Sequence, residues 1–178
     1  MTSEAVMGTD LIARAQTGDI AAFERLVEPL YEKAFQLAAA MLDDRAQAED
    51  AVQEALILAW RKLDRFRYGE DIRPWLMTLV ANQCRETRRR RWWSVRKVAD
   101  PPEQAHESES DRVVADADLH SALQTLSERD RLILILRYFF DLPYEEVAQI
   151  ARVSPDAARK ASARALARLR DRLREEEA

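Results

Sequence analysis

The chain has 178 residues, 47% of them apolar, and a formal net charge of −4. That length suits one medium domain or two small ones, each able to bury a core. Three glycines, against the roughly 7% usual in proteins, leave little room for tight hairpins or phosphate-cradling loops. A chain dominated by Ala, Leu, Arg and Glu favours helix, so the expected class is all-α. The single cysteine, Cys84, excludes an intrachain disulfide. No apolar run approaches the ~18 residues of a membrane span, and no signal-peptide pattern is present. A cytoplasmic protein without membrane insertion is the expectation.

In chain order, a first short helix is expected over Asp10 to Thr17, stopped by Gly18. Asp19 can cap a second helix running to about Leu42. Its apolar residues Phe23, Leu26, Val27, Leu30, Ala34, Leu37 and Met41 recur at spacings of three and four. Pro29 falls inside this run and should kink or split it. Asp44 and Gln47 form an approximate capping box for a third helix, Arg45 to about Arg65. After the loop RYGEDI, Pro74 suits the first turn of a fourth helix. That helix carries Trp75, read as core, and ends in an arginine run. These elements make one helical domain over residues 9–95. Residues 96–113, with tandem prolines and QAHESESD, read as a flexible acidic linker. A second domain follows over 114–174. Ser127 and Asp130 stand at capping spacing before RLILILRYFF, Pro143 opens the helix YEEVAQIA, and Ser154 can cap a final helix that has Pro155 at its first position.

Charge is segregated along the chain. Residues 82–97 hold seven basic side chains against one glutamate, and 154–174 hold seven against two acids. Between them, 100–118 hold seven acids against one arginine. Local basic surfaces on an acidic molecule are what phosphates would meet.

Three features carry candidate chemistry. The two helices 144–151 and 155–174, joined by a three-residue turn, have helix-turn-helix spacing, which would place the second helix in a major groove. The alternative is an αα-hairpin whose basic residues are merely solvated. The helix ending NQCRETRRRRWW makes a broad cationic band for salt-dependent phosphate contacts. There Trp92 and Trp93 either stack on bases or pack against the domain. Asp50, Gln53 and Glu54 share one helical face, which is either a solvated face or a docking surface for a basic protein. Cys84 reads as a small buried apolar residue, with a redox sensor as the alternative.

At these residues the chain resembles the extracytoplasmic-function group of sigma factors, over about residues 10 to 174. AEDAVQEALILAWRKLDRF resembles the group's core-polymerase-binding helix, whose D-x-x-Q-E pattern falls on Asp50, Gln53 and Glu54. RPWLMTLVANQCRETRRRR resembles the segment that holds and melts the −10 promoter element. LSERDRLILILRYFFDLPYEEVAQIARVSPDAARKASARALARLR resembles the −35-reading domain. The resemblance implies a promoter-specificity factor with core RNA polymerase and promoter DNA as partners, and commonly an anti-sigma protein. His106 and His120 have no Cys/His cluster beside them, no Ser or Cys has a plausible base and there is no Gly-rich phosphate loop, so no enzyme activity, cofactor or metal is expected; the free chain is expected to be a monomer.

For the −10 element the resemblance implies a pocket for a flipped base at Tyr68, Gly69, Glu70, Asp71 and Ile72, with Asn82, Arg85, Arg88 and Arg89 toward the adjoining DNA. For the −35 element it implies Ser154, Asp156, Arg159, Lys160 and Arg164. The acidic linker would thread the polymerase cleft as a partial nucleic-acid mimic.

The chain departs from the pattern in its helix-turn-helix. Arg152 stands in the turn where the group usually has glycine, which implies a positive φ. Ala161 stands where an arginine is usual. A free-standing helix-turn-helix regulator is the main alternative, distinguished by specific duplex binding without polymerase.

Overall fold

The computed structural model describes residues 3–42, 44–67, 69–97, 119 and 121–176, with the backbone alone at 3–9, 92–97 and 175–176. Tyr68, the side chains of Trp92 and Trp93, and the acidic segment after Lys97 lie outside the described residues. Every regular element among the described residues is helical.

Helix α1 (Ser3–Gln16) starts well before the expected Asp10 and ends at Gly18, whose φ of +96° suits a residue without Cβ. The Gln16 amide donates to the carbonyls of Leu63 and Phe66 at 2.9 and 2.8 Å, fastening the end of α1 to a distant turn. Helix α2 (Ile20–Met41) is capped by Asp19, whose Oδ1 accepts from the Ala22 N–H at 3.0 Å. Pro29 does not split it. Pro29 and Arg25 both face solvent, so water can satisfy the Arg25 carbonyl that proline leaves without a partner.

Helix α3 (Arg45–Lys62) begins at Asp44, which accepts from the Gln47 N–H at 3.1 Å. Only half of a capping box forms, because the Gln47 amide turns to the Asp44 carboxylate at 3.3 Å rather than to its backbone. A 3-10 turn, Leu63–Arg65, finishes the run. Helix α4 (Ile72–Lys97) starts two residues before Pro74 and extends into the expected linker. It buries Leu76, Met77, Val80, Ala81 and Cys84 against α2 and α3. Trp75 is partly buried, its ring 5.2 Å from Phe66.

In the C-terminal half, residues 121–124 are helical. Helix α5 (Glu128–Leu134) is capped by Ser127, whose Oγ accepts from Asp130 N–H at 3.2 Å, and passes into a π-helical turn over Ile135–Phe139. Helix α6 (Tyr144–Ala151) ends at Arg152, which has φ 58° and ψ 47°. The expected left-handed turn residue is therefore present without a glycine. Ser154 caps helix α7 (Pro155–Glu176), accepting from the Ala157 N–H at 3.2 Å.

The two halves share one buried apolar cluster. Leu132, Ile135, Leu136, Leu142, Val147 and Ile150 are continuous with Leu37, Met41, Leu42, Val80 and Cys84. A smaller cluster, Leu126, Leu134 and Ala165, lies under α7.

Candidate functional site

Three faces carry the residues singled out in the sequence. On α3, the buried residues Ala48, Ala51, Val52, Ala55 and Ala59 turn inward. Helical periodicity then forces Asp50, Gln53 and Glu54 outward together, and all three are exposed. None has a hydrogen bond or ion pair among the described residues, whereas neighbouring Glu49 is held by Arg45 at 3.0 Å. Ile57 extends the same stripe and is 45% exposed, a large apolar residue that sequence reading missed. Charge beside an exposed aliphatic group, with no partner among the described residues, suits a protein docking surface.

The second face is the loop before α4 together with α4 itself. Gly69 has φ +89° and is exposed with Glu70 and Asp71. Both carboxylates already have partners. Arg67 lies 3.7 Å from Glu70, and the Arg73 Nε donates to Asp71 at 2.7 Å. Desolvation pushes the Asp71 carboxyl up, but the hydrogen bonds from Arg73 outweigh it and hold it below its ordinary range. Ile72 is buried, so its side chain belongs to the core rather than to an open pocket.

Along α4 the cations divide. Arg89 is exposed and paired with Glu86 at 2.6 Å, and Arg90 shares the same carboxylate. Asn82, Arg85 and Arg88 are half-buried. Arg85 donates to the Ile150 carbonyl at 3.1 Å and to the Asn82 amide oxygen at 3.1 Å. Desolvation, followed by the nearby Arg152, lowers the Arg85 pKa. Arg88 donates to the Met41 carbonyl at 3.2 Å and lies 3.6 Å from Glu128. Between the domains these arginines, with Arg91 and Arg129, line an open cleft of about 800 Å³ floored by Met41, Leu42 and Leu132.

The third face is α7. Ala158, Ala161, Ser162 and Ala165 are buried, so the opposite side presents Asp156, Lys160, Ala163 and Arg164. Position 161 is a core position in this chain. Ser154 has its hydroxyl engaged as the cap. Arg159 is drawn back onto the preceding helix, donating to Glu145 and Asp156 at 2.9 Å each, with its guanidinium 5.6 Å from the Tyr144 ring. Lys160 and Arg164 have no partner among the described residues, which leaves them available to an anion.

A short helix, a left-handed turn and a long basic helix thus follow a separate helical unit with an arginine-bearing α4. The family description Sigma-70 region 2 matches residues 26–94, and Sigma-70, region 4 matches residues 116–169. The chain belongs to the sigma-70 family, in its extracytoplasmic-function group.

Among its relatives, the RNA polymerase sigma-H factor of Pseudomonas aeruginosa is 30% identical over 160 residues, covering 79% of this chain and 80% of the relative. The RNA polymerase sigma factor CarQ of Myxococcus xanthus is 30% identical over 166 residues, covering 91% and 95%. Among solved structures, the sigma factor RpoE of Bartonella quintana, in complex with the anti-sigma factor NepR, superposes with a TM-score of 0.73 at 26% identity, covering 85% of this chain and 96% of that one. In this sigma factor the region 2 match begins within α2 and ends within α4, and the region 4 match ends within α7. No helix among the described residues is long and apolar enough to cross a membrane.

Proposed function

We propose that this sigma factor binds core RNA polymerase through α3 and directs it to promoters by reading the −10 element with the α4 side and the −35 element with α7. The observation that carries this reading is the exposed Asp50, Gln53, Glu54 stripe, extended by Ile57 and without partners among the described residues. A free-standing helix-turn-helix regulator has no use for such a surface on the domain that does not carry its recognition helix. The stripe fits a basic protein surface with an aliphatic contact at its end.

The −10 reading assigns base capture to the loop Tyr68 to Asp71, with Ile72 supporting it from the core. Glu70 and Asp71 then accept from a base edge once Arg67 and Arg73 release them. Asn82, Arg85, Arg88 and Arg89 meet the adjoining strand. At −35, Lys160 and Arg164 meet phosphates, Arg159 joins them on leaving Glu145, Ser154 sets the start of the helix against the backbone, and Asp156 accepts from a base amino group. An anti-sigma protein covering the α3 stripe would silence the factor.

The test is run-off transcription with purified core polymerase on genomic templates, paired with core-binding measurements. Reversing the stripe with Asp50→Arg or Glu54→Arg should weaken core binding by about tenfold or more, as like charges meet across the interface. Tight, specific duplex binding by the chain alone, with no stimulation of core on any template, would sink the reading.

A further inference from the structure

The loop that precedes α4 is short, and its entrance is held by a side chain from the first helix. Leu63–Arg65 winds as a 3-10 turn, and Phe66 leaves it extended, with φ −73° and ψ 131°. Carbonyls that end a helical run have no partner inside it. Here the Gln16 Nε2 takes two of them, donating to the Leu63 carbonyl at 2.9 Å and to that of Phe66 at 2.8 Å. The Leu63 carbonyl also accepts from the Phe66 N–H at 3.0 Å. One nitrogen thus ties both ends of the turn, from 50 positions away in the chain.

Gln16 stands on a fixed base. It follows buried Ile12 by one helical turn and adjoins buried Ala15, which puts its amide at the edge of the core. Behind it, the Arg14 carbonyl accepts from the Thr17 hydroxyl at 2.7 Å and from the Asp19 N–H at 3.2 Å. The Arg14 guanidinium pairs with Asp19, the cap of α2, at 2.6 Å. Beyond Gln16, Phe66 is buried with its ring 5.2 Å from Trp75, and Ile72 is buried where α4 begins. Both ends of the loop are therefore anchored, while Gly69, Glu70 and Asp71 between them are exposed. An amide nitrogen carries two hydrogens, and both are engaged here, so Gln16 acts through the turn.

We propose that Gln16 is a positioning residue for −10 recognition: by pinning the turn that ends at Phe66, it sets where Gly69, Glu70 and Asp71 stand when a base is extruded toward them. Binding sites work when their groups are held within about 0.5 Å of the productive geometry, and a turn with fewer ties samples more positions. The proposal rests on the reading of this loop as the base-capturing segment. Helix α1 lies outside residues 26–94, which match Sigma-70 region 2, so base selection draws on an element beyond the matched segment.

The test is a double-mutant cycle on the assembled holoenzyme, with a promoter found by run-off transcription. Its non-template strand carries an abasic site at each −10 position in turn. With the unaltered chain, removing the captured base costs affinity. Gln16→Met, unbranched and of similar length, donates nothing. It should shrink the intact-over-abasic preference by about fivefold, roughly the worth of one hydrogen bond, with core binding unchanged. Gln16→Lys brings a nitrogen with three donors within reach of both carbonyls and should restore most of the preference. Should the methionine variant fail to fold, Gln16→Ser, polar but too short to reach, supplies the same comparison.

An undiminished preference in the variant overturns the positioning role. So does an equal loss of affinity for intact and abasic strands, which is what general destabilisation would give. If the unaltered chain ignores an abasic site at every −10 position, the loop reading itself fails and takes this proposal with it.

Discussion

Arg131 is the charged residue whose removal should cost this protein most. It is 4% exposed and donates through Nη1 to the Ala40 carbonyl at 2.9 Å, and through Nη2 to those of Gln124 and Leu126 at 3.1 and 3.3 Å. Arg131→Met keeps an unbranched apolar stem but donates nothing, leaving these carbonyls to find other partners. Hydrogen bonds to charged groups contribute about 1.5–3 kcal/mol each, and a buried acceptor left alone costs a similar amount. Counting only the two shorter bonds, and allowing for relief of a desolvated charge, the loss should be about 3 kcal/mol. That is a large share of the roughly 5–15 kcal/mol of a typical domain. Urea titration followed by far-ultraviolet circular dichroism measures it, with the slope unchanged and the midpoint lowered. Arg131→Lys, with one compact ammonium, should recover about half of the loss. A loss below about 1 kcal/mol for the methionine variant would refute the reasoning, since it would mean the guanidinium contributes no more than a surface pair.

Two further outcomes are expected. Burial, reinforced by Glu128 and only partly offset by Arg85 and Arg88, pushes the Cys84 thiol up to about 12. Near pH 8 its thiolate fraction is then about one part in ten thousand, so iodoacetamide should label the native chain orders of magnitude more slowly than the urea-unfolded one. Comparable rates would contradict the packing of α4.

Desolvation, then Asp71, raises the Glu146 carboxyl above its ordinary value, against the opposing pull of Arg73. Its contribution to the contact between α6 and the loop before α4 is therefore fully present below the ordinary glutamate pKa and is lost as pH rises through the raised one. Small-angle scattering should show a more compact chain at mildly acidic pH, and Glu146→Gln should flatten that dependence. An identical pH profile in the variant would exclude Glu146 as its source.

Much of the local structure was legible because it follows from short-range rules. The caps at Asp19, Asp44, Ser127 and Ser154 form as their spacing predicts. The α3 stripe follows from helical periodicity alone, and the left-handed turn at Arg152 from the resemblance, which puts a glycine at that position. What was not legible lies in contacts between residues far apart in the chain. Nothing in the local sequence of Arg85, Arg131 or Arg152 names a partner, yet each reaches across 65 to 91 positions to a carbonyl or amide oxygen. No periodicity marks such partners: two are backbone carbonyls, identical at every residue, and the third is the side-chain amide of Asn82, 70 positions away. The fate of Arg159 was hidden for a related reason. Its counter-ion Glu145 lies on the preceding helix, so only the crossing of α6 and α7 brings the two together. Position 161 looked like a missing DNA contact, but the rotation of α7 turns it into the core.

The alanine side of α7 has a consequence for how this factor could change its target sequence. Ala158, Ala161 and Ala165 meet the rest of the domain with single methyl groups, so available space, rather than depth of burial, sets where the helix rests. A larger side chain at any of the three must displace the helix outward or rotate it, because packed interiors register even one added methylene. Lys160 and Arg164 would move with it. The aim of the basic side chains can thus be reset from behind, by a residue that never touches DNA.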